Sequence, residues 1–290
     1  MQTFQTLLPR QHDLGGGFIV RRLLPSAQRQ AVGPFIFFDH FGPVQAQPTD
    51  NHDVRPHPHI GLSTVTYLFE GAMMHRDSTG VVQRIEPGEI NWMTAGKGIV
   101  HSERTPEDLR DKPRVSHGLQ LWTALPAEEE ECEPSLLHFG AQDIPKVQLP
   151  GVRVTVMTGS AFGATSPVPA KSPTVYLDLE LQAAAELQVP ADYSERALYA
   201  LDSGCTLDGE EFPPYQMVVL SAGSTPVLHA SASARVVMVG GEPLGHRFIA
   251  WNFVSSSKER LTQAKEDWIA QRFPAVPGET EFIPYPAPRV

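Results

Sequence analysis

Short apolar runs alternate with glycine- and proline-containing turns along almost the whole chain, and this pattern limits the fold more than any other feature. The chain has 290 residues, with 23 glycines and 27 prolines spread between the runs. In residues 174–181 (TVYLDLEL), one set of alternate positions is entirely apolar: Val175, Leu177, Leu179 and Leu181. Because the side chains of a strand point alternately to its two faces, the run predicts a strand with one buried face. Many such strands between turns predict an all-β sandwich or barrel.

One segment, residues 255–273 (SSSKERLTQAKEDWIAQRF), has helical periodicity instead. Ser256 and Glu259 fit a capping box, which predicts the start of a helix. Apolar residues then recur at helical spacing: Leu261, Ala264, Trp268 and Ile269. Pro274 stops the pattern. The segment therefore predicts one amphipathic helix that docks on a barrel through these apolar residues.

The length of the chain is near the size at which one hydrophobic core stops growing, so we expect two domains. The acidic run AEEEECEP, residues 127–134, interrupts the strand pattern, and we interpret it as a solvated connection between them. The predicted domains are residues 1–130 and residues 131–290, the second with the C-terminal helix and tail. The three glycines at 15–17 precede a strand and predict a turn or bulge.

Charge and composition exclude several classes of function. The formal net charge of −10 opposes sequence-independent binding of nucleic acid, which needs a basic face, but it is compatible with a protein partner. No apolar run approaches the roughly 20 residues of a membrane span, and no signal-peptide pattern is visible. We therefore expect a cytoplasmic protein without direct nucleic-acid or membrane binding.

Two pairs of metal-ligand residues stand out. His57 and His59 lie one residue apart at the start of a strand-like run, RPHPHIGLSTVTYLFEG, and His101 and Glu103 lie one residue apart in NWMTAGKGIVHSERTP. Residues two apart on a strand share a face, so each pair can present two ligands together. Three imidazoles and one carboxylate suit Fe(II), Mn(II), Zn(II), Cu(II) or Ni(II). The pattern indicates one shared metal site, although spacing alone leaves four unrelated surface residues as an alternative.

Other residues between and before these motifs allow two interpretations each. His75 and Asp77, in HRDSTG, either orient a metal ligand through a hydrogen bond or build a tight turn. Phe37, Asp39 and His40, in FIFFDHF, either line the mouth of a cavity or belong to the core and a turn. The sequence favours neither interpretation for His75, whereas it favours the core for the phenylalanine.

Motifs across most of the chain carry a resemblance to a known family: VGPFIFFDHFGP (32–43), RPHPHIGLSTVTYLFEG (55–71), HRDSTG (75–80), EINWMTAGKGIVHSE (89–103), GLQLWTALP (118–126), FGATSPV (162–168) and GGEPL (240–244). The chain resembles the pirin family of the cupin superfamily. The resemblance implies a bicupin, which is two tandem antiparallel β-barrels of the jelly-roll type, here with a short C-terminal helix.

The same resemblance implies a single metal in the N-terminal barrel, with ligands at His57, His59, His101 and Glu103. We expect one divalent transition metal, Fe(II), with Zn, Mn, Cu, Ni or Co as alternatives. No metal is expected in the second barrel, where His229 and His246 are isolated in the sequence.

The resemblance further implies quercetin 2,3-dioxygenase activity, in which O₂ opens the ring of a flavonol and carbon monoxide is released. Glu103 is the expected catalytic residue, as the base that takes the proton of a bound hydroxyl. An alternative is a metal-bearing, redox-responsive regulator that acts through protein partners, and a third is a cupin isomerase or binding protein. We expect a monomer.

Overall fold

The computed structural model describes residues 4–14 and 17–287, and β-strands dominate them. The strands are β1 (Gln5–Leu7), β2 (Arg10–Asp13), β3 (Ile19–Leu24), β4 (Phe35–Ala46), β5 (Val54–His59), β6 (Leu62–Glu70), β7 (Met73–Asp77), β8 (Val82–Ile85), β9 (Ile90–Thr94), β10 (Ile99–Arg104), β11 (Arg114–Ala124), β12 (Ser135–Phe139), β13 (Lys146–Leu149), β14 (Val152–Thr158), β15 (Ser160–Ala161), β16 (Ala164–Thr165), β17 (Thr174–Leu181), β18 (Glu186–Gln188), β19 (Glu195–Ala200), β20 (Cys205–Leu207), β21 (Glu210–Phe212), β22 (Met217–Leu220), β23 (Val227–His229), β24 (Ala234–Gly241), β25 (Phe248–Ala250) and β26 (Phe253–Ser255). The helices are α1 (Glu107–Arg110), a 3₁₀ turn (Ala127–Glu129) and α2 (Lys258–Ile269).

Two of the three glycines for which the sequence predicts a turn, Gly15 and Gly16, lie outside the described residues. Within the part of the chain that the structure describes, no helix is long and apolar enough to cross a membrane. The longer helix, α2, has 12 residues.

The strands form two compact units whose segments interleave along the chain. The first unit, here the N-barrel, comprises residues 13–14, 17–20, 40–138 and 245–287, and the second, here the C-barrel, comprises residues 4–12, 21–39 and 139–244. The domain boundary between residues 130 and 131 stays a prediction. The C-terminal helix, which the sequence analysis places in the second domain, lies in the N-barrel. The reason is burial, because Leu261 and Trp268 of α2 pack in one apolar cluster with Ile60 and Val100.

The C-barrel is built from a seven-stranded sheet, β1-β22-β19-β24-β17-β14-β13, and a four-stranded sheet, β18-β23-β20-β21. The predicted apolar face of β17 is confirmed, since its four alternate residues are all buried in the core: Val175, Leu177, Leu179 and Leu181. Valine, leucine and alanine side chains make up most of the rest of that core, together with Cys205, Phe212 and Met238.

The N-barrel contains a four-stranded sheet in the order β5-β10-β7-β8. A larger sheet places β12, β9, β6, β11 and residues 40–46 of β4 side by side. Strand β6 pairs antiparallel with both β9 and β11, and β10 pairs antiparallel with both β5 and β7. The small sheet therefore brings together the two segments that contain the candidate ligands, β5 and β10, and the segment that contains His75 and Asp77, β7.

Helix α2 begins one residue later than the predicted capping box. Its N-cap is Ser257, whose Oγ accepts a hydrogen bond of 3.2 Å from the backbone N–H of Arg260. Ser256, the predicted cap, instead donates its backbone N–H and its hydroxyl to the carboxylate of Glu130. The predicted docking face is confirmed for Leu261, Ala264 and Trp268, which are buried.

Ile269, the fourth residue of the predicted docking face, is 61% exposed, so that part of the prediction is wrong. Ile269 is the last residue of the helix and lies about 100° around the axis from Trp268. It therefore points away from the apolar cluster that covers Trp268.

The acidic run at 127–134 is solvated only in part: four of its eight residues are exposed, but Glu130 is buried. Glu130 is 4% exposed and its carboxylate lies 2.8 Å from Nε of Arg247. The hydroxyl of Ser255 donates to the same carboxylate, as do the groups of Ser256. The run thus fastens the chain around β26 to the N-barrel, and a buried charge needs such partners because it has lost its water.

We predict that Glu130→Gln lowers the free energy of unfolding by about 3 kcal/mol, because it leaves the Arg247 guanidinium buried opposite a neutral group. Glu128→Gln removes the same charge from an exposed position of the same run and should change stability by less than about 0.5 kcal/mol. Urea unfolding of both variants followed by tryptophan fluorescence measures the difference. Equal midpoints for the two variants would contradict the role given to Glu130.

Candidate metal centre

Three buried histidines from two neighbouring strands meet at one point of the N-barrel. His101 of β10 pairs directly with His57 of β5, and His59 pairs with Ile99. His57 and His59 share a face of β5, and His101 joins them from the adjacent strand. The ligand nitrogens of the three rings all lie within 4.8 Å of one another. Over residues 4–14 and 17–287, no other three histidine, cysteine or acidic side chains come so close together.

Burial keeps these rings neutral at physiological pH. Burial lowers the pKa of His57 to about 4, since a buried imidazolium would lose its hydration. Burial also lowers the pKa of His59 and of His101 well below the usual value, and the neighbouring imidazoles add to the effect. A neutral imidazole has one nitrogen lone pair available, which is the form that binds a transition metal.

Hydrogen bonds at Nδ1 determine which nitrogen carries that lone pair. His57 Nδ1 lies 2.9 Å from the backbone carbonyl of Arg55, and His59 Nδ1 lies 3.2 Å from the carbonyl of Asn252. A carbonyl only accepts, so the proton of each neutral ring is assigned to Nδ1. Nε2 of both histidines consequently carries the lone pair, and Nε2 of His59 faces Nε2 of His101.

The donor set fits a divalent transition metal. His59 Nε2 and His101 Nε2 lie 3.1 Å apart, which is close to the spacing of roughly 3 Å between adjacent nitrogens that each lie about 2.1 Å from one ion. With the proton of His59 on Nδ1, the Nε2 lone pair of His59 faces Nε2 of His101 at this contact. The three histidines can therefore hold a metal, and their nitrogen donors alone do not choose among Fe, Zn, Mn, Cu, Ni and Co.

Glu103, the predicted fourth ligand, lies on the same strand but outside the group of three. The pairing of β10 with β5 shifts between His101 and Glu103, so that Glu103 stands opposite Val54. The extra residue lies on β5, where residues 55 and 56 stand opposite Ser102 alone, and β10 itself keeps a regular register with β7. Glu103 therefore shares a face of β10 with His101, but its carboxylate is not among the ligand atoms that meet. Burial raises the pKa of the Glu103 carboxyl to about 7. Its role as a ligand and as a base stays a prediction.

A pocket of the N-barrel has Glu103 in its wall. Most of its other lining is apolar, and the polar lining includes Arg104 and Gln120. The apolar side chains come from the chain before β3 and from β4, β6 and β7: Leu14, Phe18, Phe41, Leu68 and Met73. The three histidines do not line this pocket. Glu103 is thus the one predicted site residue that belongs to the pocket wall.

His75 contacts a candidate ligand and Asp77 builds a tight turn, so the two interpretations of this motif are compatible. His75 Nε2 lies 2.9 Å from the Asp77 carboxylate, and His75 Nδ1 lies 3.4 Å from Nδ1 of His101. The other Asp77 oxygen accepts from the backbone N–H and the hydroxyl of Thr79, which builds the turn. Burial opposes ionisation of Asp77, but the hydrogen bonds from His75 and Thr79 hold its pKa below the usual value.

The C-terminal segment supports β10 on the residues that flank Glu103. The hydroxyl of Ser102 and the guanidinium of Arg104 both donate to the carboxylate of Glu279. The backbone N–H of Ile283 donates to the carbonyl of Pro56, the residue before His57. Sequence reasoning missed Glu279 and also the Asn252 carbonyl, because a partner so far along the chain, or a backbone group, has no local signature.

Phe37, Asp39 and His40 have other roles than lining the pocket beside Glu103. Asp39 is buried and forms two hydrogen bonds with the Arg22 guanidinium, which also covers the ring of Phe37. His40 is buried, with its Nε2 3.0 Å from Nε2 of His117. The interpretation of these residues as part of a cavity mouth is not supported by the pocket's lining.

Comparisons with known proteins agree with this architecture. The family model described as Pirin matches residues 17–123, and the model described as Pirin C-terminal cupin domain matches residues 176–274. A pirin-like protein of Caulobacter vibrioides is 49% identical over 282 residues, which cover 96% of this chain and 97% of that protein.

Among solved structures, quercetin 2,3-dioxygenase from Acinetobacter baumannii has a TM-score of 0.91 at 36% identity, covering 98% of this chain and 95% of that one. A bacterial pirin from Escherichia coli in complex with nickel(II) has a TM-score of 0.65 at 16% identity, covering 83% and 100%, a likeness that concerns the fold alone. The predicted bicupin fold is confirmed.

We predict that His59→Ala abolishes stoichiometric metal binding, because it removes the nitrogen nearest to His101 Nε2. His246→Ala removes an exposed histidine of the same unit and should leave the metal content unchanged. Elemental analysis of both proteins after reconstitution with Fe(II) or Zn(II) measures the result. A His57→Ala/His101→Ala double variant that still held one metal per chain would refute the assignment of the site.

Proposed function

The chain belongs to the pirin family, and we propose that it is a metal-dependent dioxygenase that cleaves a flavonol such as quercetin. O₂ opens the oxygen-containing ring, both oxygen atoms enter the product and one ring carbon leaves as carbon monoxide. The observation that carries the proposal is the convergence of three neutral imidazoles near a largely apolar pocket that has Glu103 in its wall. The likeness to the Acinetobacter baumannii enzyme supports the same reaction.

One divalent transition metal would be held by His57, His59, His101 and Glu103, and Fe(II) is the ion we propose, with Zn, Mn, Cu, Ni and Co as alternatives. When bound, such an ion supplies Lewis acidity toward a coordinated oxygen and, for a redox-active metal, electron transfer with O₂. The histidine rings contribute fixed orientation, because each Nδ1 has a hydrogen-bond partner that leaves the lone pair on Nε2.

The pocket favours a substrate that is flat, mostly apolar and equipped with an acidic hydroxyl. Aromatic and aliphatic side chains would cover the rings, while the Glu103 carboxylate accepts the proton of the hydroxyl next to the ring carbonyl. The cavity volume of the pocket is about 70 Å³, which is well below the roughly 300–1,000 Å³ of pockets that bury most of a small-molecule ligand. Only one part of the substrate would therefore lie inside, and the remainder would extend through the mouth.

The proposal is tested by oxygen uptake and carbon monoxide release from Fe(II)-loaded protein given quercetin. We expect uptake that depends on the metal, with one carbon monoxide per flavonol consumed, and none from His59→Ala. Absence of uptake in a sample shown to hold its metal would contradict the dioxygenase. That outcome would favour the alternative, a redox-responsive regulator that acts through a protein partner.

Glu103→Gln should weaken metal binding and lower turnover by about 100-fold, a magnitude typical of losing a general base. Glu70→Gln is the matched control, because Glu70 lines the same pocket but its side chain is 58% exposed. Steady-state oxygen uptake at equal metal content compares the two variants. A Glu103→Gln protein as active as Glu70→Gln would exclude Glu103 from the reaction.

Three further expectations stay predictions from the sequence: the cytoplasmic location, the monomeric state and the absence of direct nucleic-acid binding. The proposed partners are a flavonol-like small molecule and O₂. Quercetin is the probe, and a protein partner belongs to the alternative function.

A further inference from the structure

A chain of three buried side chains leads away from the candidate metal centre. His101 Nδ1 lies 3.4 Å from His75 Nδ1, and His75 Nε2 lies 2.9 Å from Asp77 Oδ2. The exposures are 2% for His101, 3% for His75 and 0% for Asp77, so water does not compete for these hydrogen bonds. Strand pairing sets the geometry, since His101 of β10 stands directly opposite Asp77 of β7.

With Asp77 ionised, one assignment of protons satisfies the whole chain. A carboxylate only accepts, so the proton of neutral His75 lies on Nε2 and its Nδ1 is a lone pair. That lone pair accepts the Nδ1 proton of His101. His101 Nε2 is then left without a proton, on the side where it lies 3.1 Å from His59 Nε2.

We propose that Asp77, acting through His75, fixes the tautomer of His101 and so keeps His101 Nε2 available as a metal ligand. Asp77 and His75 are positioning residues in this arrangement, because neither belongs to the group of nitrogens that would hold the metal. The inference rests on the metal centre of the proposed function and is independent of the dioxygenase reaction. It also combines the two interpretations of HRDSTG. The turn that Thr79 forms with Asp77 holds the carboxylate in place, and the carboxylate orients His101 through the hydrogen bonds Asp77–His75–His101, here the relay.

His101 differs in this respect from the other two histidines. His57 and His59 are oriented by backbone carbonyls, which no substitution at the acceptor residue removes. The orientation of His101 depends on side chains, so it can be reversed by changing one atom of Asp77. The metal centre therefore has one ligand whose protonation site is under the control of a residue two hydrogen bonds away.

Asp77→Asn is the decisive variant, because the hydrogen-bond donors of the turn determine which way the asparagine side-chain amide faces. Asp77 Oδ1 accepts from the N–H of Thr79, the hydroxyl of Thr79 and the N–H of Val81. An asparagine keeps its oxygen toward these three donors and turns its NH₂ toward His75 Nε2. His75 would then carry its proton on Nδ1, where it opposes the Nδ1 proton of a metal-bound His101.

Zn(II) binding to the metal-free full-length protein, measured by competition with a chelator, tests the inference. We expect Asp77→Asn to weaken binding by about 10- to 100-fold, the range for partners of metal-ligating histidines. Asp178→Asn is the matched control, since Asp178 is an equally buried carboxylate of the C-barrel with an arginine partner, and its Zn(II) affinity should equal that of the wild type. Thr79→Val loosens the turn without reversing the proton order and should also leave the affinity unchanged.

The double variant His75→Phe/Asp77→Asn separates the relay from a structural role of the turn. If Asp77 acts through His75, the double variant should bind Zn(II) nearly as tightly as His75→Phe alone, because His75→Phe has already removed the relay. ¹⁵N chemical shifts of the imidazoles in the Zn(II)-loaded protein should place the His75 proton on Nε2 in the wild type and on Nδ1 in Asp77→Asn.

The inference would be overturned if Asp77→Asn lowered the Zn(II) affinity as much in the His75→Phe protein as in the wild type. It would also be overturned if Asp77→Asn changed neither the Zn(II) affinity nor the ¹⁵N chemical shifts. Failure of the wild type to bind Zn(II) would overturn the metal centre with it. If the protein took up no oxygen with quercetin but gave the expected Zn(II) results, the dioxygenase function would be refuted and the inference about Asp77 would stand.

Discussion

The antiparallel pairing of β5 with β10 is the constraint on which the candidate site depends. It sets His101 opposite His57 and leaves His59 on the same face, so three imidazoles converge without any loop having to be ordered for the purpose. Sites on strands are more precise than sites on loops, because the ladder fixes each Cα. A slip of one residue in this register would turn the His57 and His59 side chains to the opposite face of the sheet, so the fold and the ligand set are specified by the same hydrogen bonds.

The C-terminal segment makes this arrangement complete, although it is distant in the chain. Its Asn252 carbonyl accepts from His59, and its residues 253–255 run along the entry to β6. Gly61 permits that approach, since its φ is +67° and a Cβ there would lie 2.0 Å from the Val254 carbonyl oxygen. Glu130 then holds the same segment through Arg247 and the serines. A helix and tail that pack around β5 and β10 thus act on the orientation of a ligand as well as on stability.

The sequence was sufficient for the features that follow from local periodicity and residue type, and insufficient for those that depend on distant partners. Alternation in β17 and the paired histidines are local patterns, and the structure confirms the first and brings the second together. The cap of α2 fell on Ser257 because Glu130, more than a hundred residues earlier, engages Ser256. The same long-range contact buried a glutamate in a run whose composition is that of a solvated loop. The irregularity after His101 belongs to a pair of strands, and neither strand alone encodes it.

The position of Glu103 along β10 bears on how the site would work. Strand β10 keeps a regular register with β7 from His101 to Arg104, so Glu103 lies on the same face of β10 as His101, two residues further along the strand. Glu103 stands opposite Val54 in the ladder, and both residues line the pocket, while Ser102 and Arg104 on either side of Glu103 are held by Glu279. The backbone flanking Glu103 is therefore fixed even though its carboxylate is outside the histidine group. As the proposed fourth ligand and base, Glu103 would serve both roles from one strand, because the backbone on either side of it is held in place.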